Sequence, residues 1–318
     1  MIVAREEGAI PPKAASVVTV GTFDGVHLGH RAIISRLTAY AGEHQARSVV
    51  LTFDPHPRAV IGPNRGRPDL LTSVEERIEL FDSMGVDLLN VIPFTQAFSQ
   101  QSAEEFVESW LVKKIGVRHM VVGHDHHFGR GRQGGVEALE AFGRMHGFSI
   151  EQVPAVVIDG VVVSSSAIRS ALASGNVESA QKLLGYRYGM TGTVVQGDRR
   201  GATLGYPTAN LRPAFADKLL PARGVYVVEG RWQGGRRFGM MNIGVRPTIA
   251  QGLQETREVH FFGHQGEMYG MEVRVEFIAR LRDEKRFPSL DALVRQLEED
   301  RNESHRILER MNTHTMNR

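Results

Sequence analysis

Short, strongly apolar segments mark the first half of the chain, and polar stretches separate them. The apolar segments are residues 17–20, 48–52, 88–92 and 119–122. An apolar run that does not alternate with polar residues is typical of a strand buried on both faces, as in a parallel sheet. We therefore predict four buried strands in this half of the chain.

The segments between these strands have apolar residues at helical spacing. They cover residues 31–44, 73–84, 102–115 and 136–146. Strands and helices that alternate at roughly 30-residue intervals indicate βαβ units, which build an α/β fold around a parallel sheet. Ligands of open sheets of this kind bind at the carboxyl ends of the strands. Gly21 and Gly123 directly follow the first and the fourth predicted strand.

The pattern changes after Gly185, where apolar and polar residues begin to alternate. The alternating segments are 191–195, 224–229, 237–243, 258–262 and 271–279, with glycine-rich turns and no helical spacing between them. This alternation predicts strands that are buried on one face, in a small antiparallel β-sheet or barrel. Pro288 then introduces a terminal helix. We place the boundary near Tyr186, which gives the domains 1–186 and 187–318.

Length and composition agree with two folded domains. The chain has 318 residues, more than one hydrophobic core usually spans, and 42% hydrophobic with 23% charged residues is ordinary for a globular protein. The lack of cysteine excludes a disulfide framework, a thiolate nucleophile and a cysteine-built zinc site. No apolar run reaches the roughly 18 residues of a membrane helix. The start lacks a secretory pattern, so we expect a cytoplasmic protein without a membrane partner.

The net charge of +2 hides a difference between the two predicted domains. Residues 1–186 carry 17 basic and 20 acidic side chains, whereas residues 187–318 carry 21 and 16. A basic excess suits a domain that handles phosphates. No basic stripe with interleaved aromatic residues is present, so we expect no nucleic-acid partner. Composition leaves a homo-oligomer open.

A glycine-rich turn with two histidines lies between the first predicted strand and the first predicted helix. It reads GTFDGVHLGH over residues 21–30. Its glycines let the backbone approach a ligand closely, and the following helix offers unpaired N–H groups to a phosphate. His27 and His30 are three residues apart, so on a helical turn they share one face. Two imidazoles at this place suit the negative charge that develops when an α-phosphate is attacked.

Three serine hydroxyls at 164–166 stand where the apolar run 161–163 meets a short predicted helix. They can cap that helix. They can equally bind a triphosphate, with Arg169 one turn further on as a charged clamp. Because His27 and His30 belong to the same predicted sheet edge, phosphate binding is favoured.

In the second half, the segment GYPTAN at 205–210 follows a polar loop at 196–201. Thr208 and Asn210 are two residues apart and share one side of an extended backbone. Their oxygens are hard ligands suited to Mg²⁺, which prefers a few protein oxygens together with phosphates and water. The alternative is a proline-containing turn beside a solvated basic loop.

The first of these clusters, with the motifs around it, resembles the bifunctional riboflavin kinase/FAD synthetase family of bacteria. GTFDGVHLGH looks like the HxGH signature of the nucleotidyltransferase superfamily. Further motifs follow in the order of the FAD synthetase module: TFDPHP (52–57), LTS (71–73), PFT (93–95), SAEEFV (102–107), VVGHDHHFGRGRQG (121–134) and VSSSAIR (163–169). The resemblance implies a Rossmann-like nucleotidyltransferase domain in which His27 and His30 contact the ATP phosphates and the transition state.

The resemblance also implies the other site residues of this module. The candidates for nucleotide and phosphate binding are Gly21, Phe23, Asp24, Gly25, Gly29, Ser164, Ser165, Ser166 and Arg169. Asp125, in the loop after the fourth predicted strand, is a candidate flavin contact.

GYPTAN looks like the riboflavin kinase signature of the same family. The motifs GVY (224–226), NIGVRPT (242–248), REVHFF (257–262) and MYG (268–270) follow in family order. The resemblance implies that Glu258 is the general base that takes the proton from the ribityl 5′-hydroxyl, and that Tyr226 contacts the flavin. The implied nucleotide-binding residues are Gly205, Pro207, Thr208 and Asn210, of which Thr208 and Asn210 hold Mg²⁺-ATP.

The chain departs from the family pattern at several positions. His126 and His127 replace an aromatic residue and an arginine, Gly201-Ala202 replaces Gly-Arg, and Gly263-His264 replaces Asp-Phe. The first departure leaves the acceptor of the transferase open, and the other two bear on the efficiency of the kinase.

The resemblance implies two reactions, the phosphorylation of riboflavin to FMN and the adenylylation of FMN to FAD with release of pyrophosphate. Riboflavin, FMN and ATP are then substrates, and Mg²⁺ is the cofactor. Three alternatives stay open. They are an enzyme with one of the two activities and a weakened second module, a transferase for another phosphorylated acceptor, and a flavin-binding regulator.

Overall fold

Two compact units make up the chain in the computed structural model. The structure describes residues 1–5, 10–61, 69–129, 134–197, 205–247 and 253–316. Contacts between Cα atoms divide the chain into Met1–Ser165 and Ser166–Arg318. The helices α7 (Ser165–Ala173) and α8 (Val177–Leu184) follow this division, and the boundary predicted near Tyr186 comes after them.

A six-stranded parallel sheet forms the centre of the first unit. Its strands lie in the order β1 (Ile2–Ala4), β4 (Leu88–Pro93), β3 (Arg47–Asp54), β2 (Ser16–Val20), β5 (Val117–Gly123) and β6 (Ser149–Val153). The four predicted strands and the α/β class are confirmed. The two edge strands were not predicted because β1 has only three residues and β6, Ser-Ile-Glu-Gln-Val, is not an apolar run.

Helices connect these strands, as the spacing predicts. They are α1 (Leu28–Glu43), α2 (Pro57–Ile61), α3 (Val74–Ser83), α4 (Gln96–Ser99), α5 (Ala103–Phe106) and α6 (Val136–His146). The helix predicted over 102–115 is α5 continued by a π-helical segment, Val107–Ile115. A two-stranded hairpin of β7 (Val157–Ile158) and β8 (Val161–Val162) leads to α7.

The sheet has a hydrophobic core on each face. Val18 and Val20 of β2 pack into one core, while Val17 packs into the other. Strand β2 is therefore buried on both sides, and all five of its residues are buried. Its carboxyl end brings the chain to the loop that contains Gly21.

The second unit contains a closed antiparallel barrel. Its strands lie in the order β10 (Ala209–Pro213), β13 (Leu253–Phe261), β12 (Gly235–Pro247), β11 (Gly224–Trp232), β14 (Glu272–Arg282) and β9 (Gly189–Val195). The predicted barrel is confirmed. Strand β10 was not predicted because Ala-Asn-Leu-Arg-Pro has too little apolar alternation to stand out.

The predicted terminal helix, α9 (Leu290–Met316), lies against the outside of the barrel. Arg282 of β14 and Asp300 of α9 form a paired ion bridge, with distances of 2.9 Å between Nε and Oδ1 and 2.6 Å between Nη2 and Oδ2. Leu308 belongs to a hydrophobic cluster with Val227 of β11, and Leu297 packs against a second cluster that contains Val225. The helix thus covers one part of the outer barrel surface. None of the described helices is long and apolar enough to cross a membrane.

Candidate active sites

The loop between β2 and α1 has an unusual backbone. Phe23, Gly25 and Val26 have φ values of 49°, 86° and 35°. Positive φ is unfavourable for phenylalanine and valine, so the surrounding contacts must hold this conformation. The Phe23 ring is buried and meets the rings of His30 and Phe81 edge-on, at centroid distances of 5.1 and 5.6 Å. The predicted phosphate loop is therefore a fixed structure.

Asp24 anchors this loop to the segment before α3. Its buried carboxylate accepts hydrogen bonds from the N–H groups of Leu71 and Thr72, at 2.9 and 3.0 Å, and from the Thr72 hydroxyl at 3.2 Å. The Gly25 N–H in turn donates to the Thr72 hydroxyl at 2.9 Å. The LTS motif of the sequence is thus the partner of the loop. The sequence-predicted residue Asp24 directs its carboxylate into the protein.

His27 and His30 lie stacked at the start of α1. Their ring centroids are 3.6 Å apart, with an angle of 16° between the planes. His27 is the N-cap residue, and its Nδ1 accepts the His30 N–H at 3.3 Å. In the neutral imidazole the proton is then on Nε2, which makes that atom a hydrogen-bond donor. The helix start offers N–H groups at the same place.

Burial holds His30 in its neutral form. Its pKa lies well below the usual value, first because the ring is removed from water and then because His27 and Arg77 are close. The Nδ1 atom of His30 is buried without a hydrogen-bond partner in the described part of the chain. A neutral ring at this place avoids the cost of a buried charge.

A hydrogen bond and a close approach of α1 bring the serine segment to this loop. The Ser165 hydroxyl donates to the Asp24 carbonyl at 2.9 Å. A Cβ atom on Gly29 would lie 3.6 Å from the Val163 carbonyl oxygen and 3.2 Å from Cε1 of His27. The first turn of α1 therefore packs against the residues that lead into α7.

The remaining phosphate candidates differ in exposure. Ser164 is half-buried, Ser166 is exposed on the first turn of α7, and Arg169 is half-buried one turn later. Gly21, at the end of β2, faces the Phe23 ring, which a Cβ there would approach to 3.2 Å.

The loop after β5 contains the flavin candidate Asp125 and the unusual histidines. Asp125 is exposed, and its carboxylate lies 3.9 Å from Nδ1 of His124. His126 stacks on Phe128 at a centroid distance of 5.8 Å, and burial lowers its pKa to about 4. It is therefore a neutral ring at physiological pH.

Arg77 in α3 was not among the site residues predicted from the sequence. This arginine is buried, and its guanidinium donates to the Thr22 carbonyl at 2.6 Å and to the Thr52 hydroxyl at 2.7 Å. Weaker bonds go to the carbonyls of Ser73 and Phe53, each at 3.4 Å. In the sequence Arg77 looks like any exposed helix residue, so no local signal could have identified it.

Strand register assembles the second candidate site, on the outer face of the barrel. Asn210 of β10 stands directly opposite Glu258 of β13, and on the other side of Glu258 stands Asn242 of β12. Directly opposed residues share one face of a sheet. The neighbours Val259 and Phe261 are buried, whereas Glu258 is half-buried. Three polar side chains thus form one row across three strands. Asn242 belongs to the NIGVRPT motif, but no role was predicted for it from the sequence.

The segment that leads into β10 is fixed by His260. The Nδ1–H of His260 donates to the Pro207 carbonyl at 2.9 Å, and its ring meets buried Tyr206 edge-on at 5.2 Å. Burial lowers the pKa of His260, which keeps the ring neutral. Gly205 has a φ of 80°, the left-handed region that glycine adopts readily. Thr208 follows Pro207 and is half-buried.

Gly197 confines the side chain of Asn210. A Cβ atom on this glycine would overlap the Asn210 amide. The loop that follows Gly197 includes Arg199, Arg200 and the departure from the family pattern at Ala202, and all three lie outside the described residues. Thr248, at the end of the NIGVRPT motif, also lies outside them.

Tyr226, the second flavin candidate, belongs to the barrel interior. It is fully buried, its hydroxyl donates to the Ala222 carbonyl, and its ring meets Phe277 edge-on at 5.4 Å. Burial raises the pKa of its hydroxyl. Its contacts support the barrel, and its role as a flavin contact stays a prediction.

Comparison with known proteins gives one assignment for each unit. A model of the FAD synthetase family matches residues 10–167, and a model of the riboflavin kinase family matches residues 184–308. Most of the helices α7 and α8, residues 168–183, lies in neither match.

Curated relatives cover almost the whole chain. The bifunctional riboflavin kinase/FMN adenylyltransferase of Listeria monocytogenes is 38% identical over 286 residues, which are 89% of this chain and 90% of that protein. The protein of the same name from Escherichia coli K12 is 36% identical over 290 residues, 91% of both chains.

A solved structure agrees in fold over a similar extent. A Streptococcus pneumoniae protein, described as a macrolide-efflux protein, superposes with a TM-score of 0.87 at 32% identity and covers 96% of this chain and 99% of its own. That description concerns the other protein, while both family models and the curated relatives agree with the motifs found here. The chain belongs to the bifunctional riboflavin kinase/FMN adenylyltransferase family.

Proposed function

We propose that this chain converts riboflavin to FAD in two successive transfers from ATP. The kinase acts in residues 187–318, and the adenylyltransferase acts in residues 1–186. The observation that carries the proposal is that, in each unit, residues of the family motifs lie side by side. His27 and His30 stack at the start of a helix, and Asn210 stands opposite Glu258 in the barrel.

In the adenylyl transfer, a phosphate oxygen of FMN attacks the α-phosphorus of ATP. A new P–O bond forms, the bond from the α-phosphorus to the bridging oxygen breaks, and pyrophosphate leaves. Nε2–H of His27 and the N–H groups at the start of α1 would stabilise the charge on the α-phosphate. Ser164 would bind the departing phosphates. No protein nucleophile is needed.

In the kinase reaction, Glu258 would take the proton from the ribityl 5′-hydroxyl as its oxygen attacks the γ-phosphorus of ATP. The oxygens of Thr208 and Asn210 suit Mg²⁺ because they are hard donors. Gly197 lies so close to the Asn210 amide that a side chain at this position would displace the amide. Mg²⁺ would neutralise charge on the ATP phosphates. His260 keeps the Pro207–Thr208 peptide in place beside the metal ligands.

The alternatives from the sequence are not favoured. A single-activity enzyme would need one of the two family matches to be without function, and a flavin-binding regulator would need both to be so. Both matches coincide with motifs that occur in family order. The departures at His126 and His127 lie in the loop after β5, and the chain keeps the stacked pair of His27 and His30.

Product analysis tests the proposal. Purified protein with riboflavin, ATP and Mg²⁺ should form FMN first and FAD later, as measured by chromatography. Glu258→Gln removes the base and should lower FMN formation by about 10²–10⁴-fold. The same variant should make FAD from supplied FMN at the wild-type rate. If the wild-type protein forms FAD from FMN but never FMN from riboflavin, the kinase assignment is wrong.

A further inference from the structure

We propose that Arg77 is a positioning residue for the adenylyl transfer. Its guanidinium joins the loop that follows β2 to the end of β3, and it places a fixed positive charge beside the loop that presents His27 and His30. This inference rests on the proposed function of the first unit. Neither family model nor any relative's name assigns a role to this residue.

The hydrogen bonds of Arg77 connect three segments at the carboxyl edge of the sheet. Thr22 belongs to the loop after β2, Thr52 and Phe53 belong to the end of β3, and Ser73 caps α3. The Thr52 hydroxyl also donates to the Thr22 carbonyl at 3.2 Å. One side chain therefore bridges the ends of two neighbouring strands and the start of α3.

All four of these bonds go to uncharged oxygens, although the guanidinium is buried. A buried charge that is solvated by dipoles, without a touching carboxylate in the described part of the chain, is expensive for folding alone. Burial lowers the pKa of Arg77, and Asp24, Asp54 and Glu75 act from a distance against that effect. Arginine stays protonated in proteins, so this buried side chain keeps its positive charge.

The site beside Arg77 is where an anion would bind. Arg77 is close enough to His30 to contribute to its lowered pKa. The Thr22 carbonyl that Arg77 holds precedes Phe23 and Asp24 in the conformationally unusual loop. Losing this bond would free the start of the loop, while the Asp24 carboxylate would still hold its middle. The triphosphate of ATP is the anion this chemistry fits.

The test compares Arg77→Lys and Arg77→Met with Arg47→Met. Arg47 is a matched control, because it bonds to the Ser16 hydroxyl and the Ile115 carbonyl, at 3.3 and 3.4 Å, at the amino ends of the strands. FAD formation from FMN and ATP gives kcat and KM at 15 °C, and thermal unfolding is followed separately.

We expect Arg77→Met to lower kcat/KM for FAD formation about 10²-fold and to raise the KM for ATP. Arg77→Lys keeps the charge but loses the forked donors, so it should restore the KM for ATP while kcat stays about tenfold low. Arg47→Met should change only the thermal midpoint. Riboflavin phosphorylation should stay at the wild-type rate in all three variants.

Several results would overturn the inference. One is that the kcat and KM of Arg77→Met lie within twofold of the wild-type values. Another is that Arg47→Met loses as much FAD formation as Arg77→Met. A third is that Arg77→Met is fully active at every temperature at which it is folded. If Arg77→Met does not fold, Arg77→Lys decides, and a wild-type kcat in that variant refutes the positioning role. A wild-type protein that makes no FAD from FMN would instead refute the proposed function.

Discussion

The two candidate sites are held together in different ways. In the first unit, hydrogen bonds of two buried side chains hold a loop with positive φ values. Asp24 bonds to the segment before α3, and Arg77 of α3 bonds to the start of the loop. In the barrel, the row Asn210, Glu258 and Asn242 results directly from strand pairing. The first site depends on a few long-range hydrogen bonds, whereas the second depends on the regular ladder of the sheet.

This difference has a consequence for mutation. Removing one buried polar anchor should disturb the part of the adenylylation loop that it holds, because hydrogen-bonding groups are left unpaired and the backbone conformation loses support there. The barrel row keeps its register even when one side chain changes, because the register is set by many backbone bonds. Damage there should be confined to the altered side chain.

The largest effect is expected for Asp24→Asn. The carboxamide cannot accept all the bonds that the carboxylate takes from Leu71 and Thr72. We expect a loss of ~1–3 kcal/mol in unfolding free energy and a roughly 10²-fold lower rate of FAD formation from FMN. Urea unfolding and a coupled pyrophosphate assay measure the two effects.

Asp87→Asn is the control for this change. Its carboxylate accepts from the N–H and the hydroxyl of Ser48, at 2.8 and 2.7 Å, at the opposite edge of the same sheet. The control should lose stability without losing adenylylation in the folded protein. Equal activity losses in both variants would mean that the loop is no more sensitive than the rest of the unit.

A smaller effect is expected for Gly197→Ala in the barrel. The new methyl group would displace the Asn210 amide, so riboflavin phosphorylation should fall about tenfold with a higher KM for Mg²⁺-ATP. The melting temperature of the barrel should change little. Gly42→Ala in α1, where a Cβ meets no atom within 4 Å, serves as control. An unchanged kinase in Gly197→Ala would show that the Asn210 amide has no fixed position.

The same contrast explains how far the sequence could predict the molecule. Apolar runs at 17–20 and 48–52 identified central strands, and alternation identified the barrel, because each pattern is local. The row of Asn210, Glu258 and Asn242 was not predicted, because strand β10 has too little pattern to place it beside β13. The bonds from Asp24 to residues 71–72 join segments 47 residues apart, and no spacing rule connects them.

Complementation between two inactivated chains tests the central claim, that the chain has two independent sites, most directly. Glu258→Gln and His30→Ala are each incubated with riboflavin, ATP and Mg²⁺, alone and mixed, and flavins are separated by chromatography. We predict that Glu258→Gln alone leaves riboflavin, that His30→Ala alone accumulates FMN, and that the mixture forms FAD. A mixture that forms no FAD, or a His30→Ala protein that forms no FMN, would contradict the account.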